Sequence, residues 1–195
     1  MFAATCDSYF DAGISIIPVR GKRVCTPGFG SYSHRLANHR ERSLWKRKHQ
    51  SSNIGLMMGP INKVMGIDID TDDARVVDAI ESITGGTPCA KFGSKGKTMF
   101  FKSHLYKNEM MFTESDGCVL EFLCTSKQTV IPPSNHPKTN KPYHWIGSNI
   151  IDSISSLPLI KEDQLSEIRC FMESKYEIID ILEYRRRLEQ KHARR

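Results

Sequence analysis

The stretch Val64-Met-Gly-Ile-Asp-Ile-Asp70 constrains this chain more than any other part of its sequence. An apolar run of this strength reads as a buried strand, yet Asp68 and Asp70 interrupt it at i and i+2. Residues two apart in a strand share a face, with their side chains roughly 6.5–7 Å apart along it. Two like charges side by side in an apolar strand are costly unless a cation joins them. Pairs of this kind can hold two metal ions at the ~3.5–4 Å separation used in phosphoryl chemistry. The competing reading is a strand end whose acids are exposed or cap the next helix. For Asp72 and Asp73, at the start of a helical pattern, that reading is preferred. An EF-hand calcium loop beginning at Asp68 is excluded, because it needs Gly at 73 and Glu at 79, where the chain has Asp73 and Ala79.

A third acid stands in the same setting. Glu121 lies in Cys118-Val-Leu-Glu-Phe-Leu123, one carboxylate in another apolar strand. Three carboxylates converging from a rigid sheet suit nucleotidyltransferases, some nucleases and DxD glycosyltransferases alike.

The rest of the pattern supplies a mixed α+β frame. Helical spacing is expected over residues 3–12, around Trp45 in 40–48, and over 73–83, where apolar positions fall at 76, 77, 80 and 83. Strands are expected at 14–19, 98–102, 118–123 and 128–131. Residues 53–58 and 64–70 read as two adjacent strands joined by the turn Gly59-Pro-Ile-Asn62. The segment 21–32 reads as a loop, and the proline-rich 132–142 as extended or looped. From 161 to 195 there is no Gly or Pro, and the chain reads as helical. We therefore expect a catalytic-type domain over 1–158 and a helical basic appendage or linker over 159–195.

Composition narrows the class. With 195 residues, 39% of them hydrophobic and 26% charged, the chain can bury a sizeable core, which argues against intrinsic disorder. No apolar run approaches the ~18–20 residues of a membrane span. The N-terminus carries Asp7 and Asp11 without a basic segment, unlike a signal peptide. The six cysteines form no CxxC pair and no zinc-ligand spacing, so reduced thiols in a cytoplasmic protein are the simplest expectation. The net charge of +6 is uneven. Arg20–Lys48 holds nine Lys/Arg against Glu41 alone, and Glu183–Arg195 holds six against two acids. Two basic flanks around an acidic centre suit a polyanionic partner beside a carboxylate site, although a pair of solvated faces would look the same.

Phe92-Gly-Ser-Lys-Gly-Lys-Thr98 contains the Gly-Lys-Thr of a P-loop. The Walker pattern requires glycine at position 91, which is Lys91, and a helix afterwards, where a strand pattern continues. What remains is a glycine-freed turn offering Ser94, Lys95, Lys97 and Thr98 as donors. It could cradle a triphosphate or be an ordinary basic hairpin.

Several blocks, taken in order, go further: Gly13-Ile-Ser-Ile-Ile-Pro-Val19 with Lys22, then Trp45, Asn53-Ile-Gly-Leu56 with Gly59, Gly66-Ile-Asp-Ile-Asp70, Val119-Leu-Glu121, and Gln128-Thr-Val-Ile-Pro-Pro-Ser-Asn-His-Pro137 with Thr139, Tyr143 and Trp145. In order and spacing, residues 3–146 resemble the bifunctional DNA primase/polymerase (prim-pol) domain of the archaeo-eukaryotic primase superfamily, in the versions found in phages, prophages and plasmids. The resemblance implies an RRM-like catalytic sheet with an N-terminal αβ unit. It implies that Asp68, Asp70 and Glu121 bind two Mg²⁺ or Mn²⁺ ions and catalyse nucleotidyl transfer. Ser94, Lys95, Lys97, Thr98 and His136 become candidates for nucleotide binding. Arg20, Lys22, Arg23, Lys46, Arg47 and Lys48 become candidates for contacts to a single-stranded DNA template. Nucleoside triphosphates are the implied substrates and a helicase, in cis or trans, an implied partner. One departure stands out: most members carry a histidine where this chain has Thr98. A non-catalytic module that binds single-stranded nucleic acid or a replication origin through a degenerate primase fold is the alternative.

Overall fold

The computed structural model describes residues 1–105 and 107–193; Arg194 and Arg195, which end the expected basic tail, lie outside the described residues. Helix α1 (Phe2–Asp11) buries Phe2, Cys6, Tyr9 and Phe10, which share one face by helical spacing. It turns at Gly13 into strand β1 (Ile16–Arg20). The expected loop 21–32 instead holds a two-residue strand, β2 (Arg23–Val24), folded back on β1, and a 3-10 turn over Phe29–Ser33. Helix α2 (His39–Lys48) starts at a capping box in which Asn38 and Glu41 exchange side-chain and backbone hydrogen bonds. It buries Trp45 between Phe2 and Tyr32.

Strands β3 (Asn53–Met57) and β4 (Val64–Ile69) correct an expectation. They are not neighbours. Strand β3 lies between β1 and β9 (Gln128–Ile131) in a four-stranded sheet of order β2-β1-β3-β9. Strand β4 lies near the middle of a six-stranded sheet with β5 (Cys89–Phe92), β6 (Lys97–Lys102), β7 (Glu109–Thr113), β8 (Gly117–Leu123) and β10 (His144–Gly147), in the order β10-β5-β6-β4-β8-β7. The turn between them closes with a bridge between Gly59 and Val64. The intervening turn is tied to the first sheet by Asn62, whose side chain bonds Ser15 and Met57 backbone groups. Both strands are buried along almost their whole length, so each takes a central place with partners on both edges. Every pairing between named strands is antiparallel.

The six-stranded sheet has two unlike faces. Met65, Ile67 and Ile69 of β4, with Met99, Phe101 and Phe122, pack under α3 (Ala74–Thr84) and α5 (Glu162–Lys175). Asp73 caps α3, as expected, and accepts an ion pair from Lys175 at the end of α5. The expected appendage is helical over α5 and α6 (Ile181–Ala193), and Ile160, Leu165, Ile168 and Met172 enter the core of this face. Helix α6 lies against β7, with Tyr184 stacked on Phe112 at 5.0 Å. A short helix, α4 (Ile150–Ser153), links β10 to this region. On the opposite face Val64, Phe100 and Leu123 join the core shared with α1, α2 and the four-stranded sheet, and beyond them the two sheets separate into a cleft. Among the described residues no helix is long and apolar enough to cross a membrane.

Candidate active site

Strand register assembles the acids. Asp68 stands directly opposite Glu121 on β8 and Thr98 on β6. Residues opposed in an antiparallel ladder share a face, so the three form a row across the middle of the sheet. Asp70 follows at the end of β4, where its N–H donates to the Val119 carbonyl at 3.0 Å. A register shift between Met111 and Phe112 leaves Val119 without a partner across the β7–β8 ladder. That bulge lets both Val119 and Leu120 enter the core, while Cys118 and Glu121 line the cleft. The cleft encloses about 250 Å³.

Each acid has a partner within the chain. The Thr98 hydroxyl donates to Asp68. The Lys127 ammonium donates to Glu121. Lys95 Nζ lies 3.5 Å from Asp70. Burial pushes the Glu121 carboxyl above its ordinary range, Lys127 opposes this, and the charge of Asp68 adds to the rise. Among the described residues no three His, Cys, Asp or Glu side chains stand as a ready metal cage. The donors are nonetheless all carboxylate oxygens, the hard set that suits Mg²⁺ or Mn²⁺, and they already draw two lysine ammonium groups to themselves.

The glycine-lysine loop folds over the end of β4. Gly96 has φ +52°, and a Cβ there would lie 1.9 Å from the Ile69 carbonyl oxygen, so only glycine fits. Of the four donors expected on this loop, Ser94, Lys95 and Thr98 face the acids' side of the sheet. Ser94 Oγ lies 3.4 Å from His136 Nε2, and Thr139 Oγ1 lies 3.3 Å from His136 Nδ1. Burial, then the charges of Lys22, Lys138 and Lys91, lower the His136 pKa and favour the neutral ring. Thr98 is engaged with Asp68. Lys97 borders the cleft, but it pairs in register with Ile69, which belongs to the helix-covered face, and its ammonium bonds Glu81 of α3.

The six basic candidates do not make one track. Lys22 lines the cleft. Arg20 and Arg23 line a depression beside it with His49, and Arg20 and Lys48 line a second. Arg47 is exposed, and Lys46 pairs with Asp7 of α1 at 2.6 Å. Two cations at the site escaped the sequence reading. Lys127 follows Glu121 by six residues, beyond any strand-periodic signal. Lys91 sits on β5 opposite Thr98, only 6% exposed, and burial lowers its ammonium pKa to about 8, with Asp68 acting against the fall. Its one signal was to be the lone charge in Cys89-Ala-Lys-Phe92.

Comparison with known proteins agrees with this geometry. No curated protein matches the chain significantly. The model of the bifunctional DNA primase/polymerase N-terminal domain matches residues 7–160, which spans both sheets and every acid of the cleft. The chain therefore belongs to the bifunctional DNA primase/polymerase family, a family of nucleotidyltransferase type whose substrates are DNA and nucleotides.

Proposed function

We propose that the chain is a template-dependent DNA primase/polymerase whose chemistry takes place at Asp68, Asp70 and Glu121. The observation that carries this reading is the register pairing of Asp68 with Glu121 in mid-sheet, with Asp70 at the strand end beside them. Asp68, Asp70 and Glu121 would hold Mg²⁺ or Mn²⁺, which when bound would activate the attacking hydroxyl and stabilise the pyrophosphate that leaves. Thr98 orients Asp68 through its hydroxyl. Lys95 and Lys127 neutralise Asp70 and Glu121 and are released when a stronger cation takes their place. Ser94, Lys95 and His136, which line the same cleft, would bind the nucleotide. Lys22, Arg20, Arg23 and Lys48 would meet template phosphates, and Arg47 extends that surface, whereas Lys46 is engaged with Asp7. Replication of a phage or plasmid, with a helicase in cis or trans, is the setting that fits this activity.

The internal partner of every acid favours one other reading, a nucleic-acid-binding module that has lost catalysis. Incorporation of labelled nucleotide on primed and unprimed single-stranded DNA, with Mg²⁺ or Mn²⁺, separates the two. Metal-dependent incorporation that disappears in Asp70→Ala supports the polymerase. Strand binding without incorporation under either ion supports the module.

A further inference from the structure

Lys91 is the most costly side chain in the cleft. The residue is 6% exposed, with its ammonium reached only through the cleft, and among the described residues no carboxylate or carbonyl accepts a hydrogen bond from it. Its Nζ lies 4.9 Å from the centroid of the Tyr143 ring, and the charges of Asp68 and Asp70 offset only part of its burial. An apolar side chain of equal length would fill this place without the desolvation cost of a charge. Tyr143 repeats the pattern. It is 4% exposed, and its hydroxyl is buried with no hydrogen-bond partner. Burial, and then the charge of Asp68, hold that hydroxyl protonated, so it is a donor without an acceptor. A largely desolvated ammonium and an orphaned hydroxyl thus meet in the same cleft, beside His136, whose ring packs edge-on against Tyr143 at 5.5 Å.

Two other donors of the neighbouring loop already have partners, Lys97 in Glu81 and Thr98 in Asp68. We propose that Lys91 and Tyr143 form a buried anion subsite on the floor of the cleft, which takes the polyphosphate tail of the incoming nucleoside triphosphate. The proposal rests on the polymerase reading above and adds residues to it. Enclosure selects the ligand: a strand running across the surface presents its phosphates from outside, whereas a terminal polyphosphate can enter a pocket whose lysine is 6% exposed. The rival role for Lys91 is that of a counter-ion for Asp68 and Asp70, and it predicts a different outcome.

The test is calorimetric titration of the metal-free protein, in chelator, with a deoxynucleoside triphosphate and with inorganic tripolyphosphate, alongside a separate titration with single-stranded DNA. Lys91→Met should weaken both polyphosphate ligands roughly 10- to 100-fold, the range of a charge-assisted contact. Its affinity for single-stranded DNA should stay within about twofold, and its Tm should be unchanged or higher, since a buried charge is removed. Tyr143→Phe, which deletes one oxygen and keeps the packing, should cost roughly 3- to 10-fold on the same two ligands. Unchanged polyphosphate affinity in Lys91→Met, with Mn²⁺ bound more tightly, overturns the proposal and makes Lys91 a counter-ion. An equal loss of strand affinity overturns the assignment to the nucleotide. Should Lys91→Met not fold, unchanged polyphosphate binding in Tyr143→Phe overturns it alone. Wild-type protein that binds tripolyphosphate through Lys91 but incorporates no nucleotide refutes the polymerase reading and leaves the subsite standing.

Discussion

The two faces of the six-stranded sheet are built from the same strands and have opposite character. Along β4, Met65, Ile67 and Ile69 enter a dry layer under α3 and α5, while Asp68, with Glu121, Thr98 and Lys91 beside it, enters the cleft. The helix-covered face is satisfied: its side chains find apolar partners or, as with Lys97 and Glu81, an ion pair at the rim. The cleft face is less so. It holds three half-buried acids, each on a partner from its own chain, a lysine that finds no acceptor among the described residues, and an orphaned tyrosine hydroxyl. One face spends its residues on stability and the other gives stability up, which is the arrangement expected where a charged ligand completes the structure.

The contrast breaks most completely if the dry face loses its cover. Truncation after Pro158 removes Ile160, Leu165, Ile168 and Met172 from the core. At about 1.5–3 kcal/mol for each fully buried side chain, the loss is on the order of 6–12 kcal/mol, comparable to the whole stability of a domain. A truncated chain that melts cooperatively near the full-length Tm would show that the helices are dispensable. The next effect is on chemistry alone. Asp68→Ala should reduce nucleotide incorporation to background and leave Tm equal or slightly raised, because an acid facing Glu121 is removed. Near-normal incorporation would sever the acids from catalysis.

Gly96→Ala tests the seam where the loop crosses β4. A methyl group meeting the Ile69 carbonyl, at a positive φ, should cost about 1–3 kcal/mol and displace Lys95, read as a lower Tm and weaker nucleotide binding together. Thermal melts of Glu121→Gln in chelator give a smaller, signed effect. Burial first, and Asp68 after it, raise the folded pKa of Glu121, so the folded state holds this proton more tightly than the unfolded chain does. The stability it lends is full below the unfolded pKa and lost as pH rises through the folded one, and the glutamine variant should lack that decline. Lys97→Ala closes the series. With its ammonium on Glu81, it should lower Tm by a degree or two and leave the nucleotide KM unchanged. A raised KM would show that Lys97 serves the nucleotide as well as Glu81.

Local pattern made much of this protein legible. The helices near 3–12 and 73–83 leave a period in the sequence, because one face of each is buried, the helix near 40–48 is marked by the buried Trp45, and the strands over 64–70, 98–102, 118–123 and 128–131 leave apolar runs, because they are buried along most of their length. Strands β7 and β10 left little, since they lie at the two edges of the sheet, where β7 is buried over only part of its length and β10 has no buried residue. The residues themselves also determined that Asp68 and Asp70 share a face, since a strand alternates with period two whatever surrounds it. Tertiary structure alone decided the rest. It separated β3 from β4 into different sheets, because pairing depends on which central strand can bury both its faces where. It turned Lys97 toward α3 and Lys95 toward Asp70, because the loop's path over Gly96 sets which side of the sheet each lysine meets. It buried Lys91 beneath Tyr143, a contact between residues 52 positions apart in the chain. A charge's cost depends on what encloses it, and enclosure is a property of the folded chain.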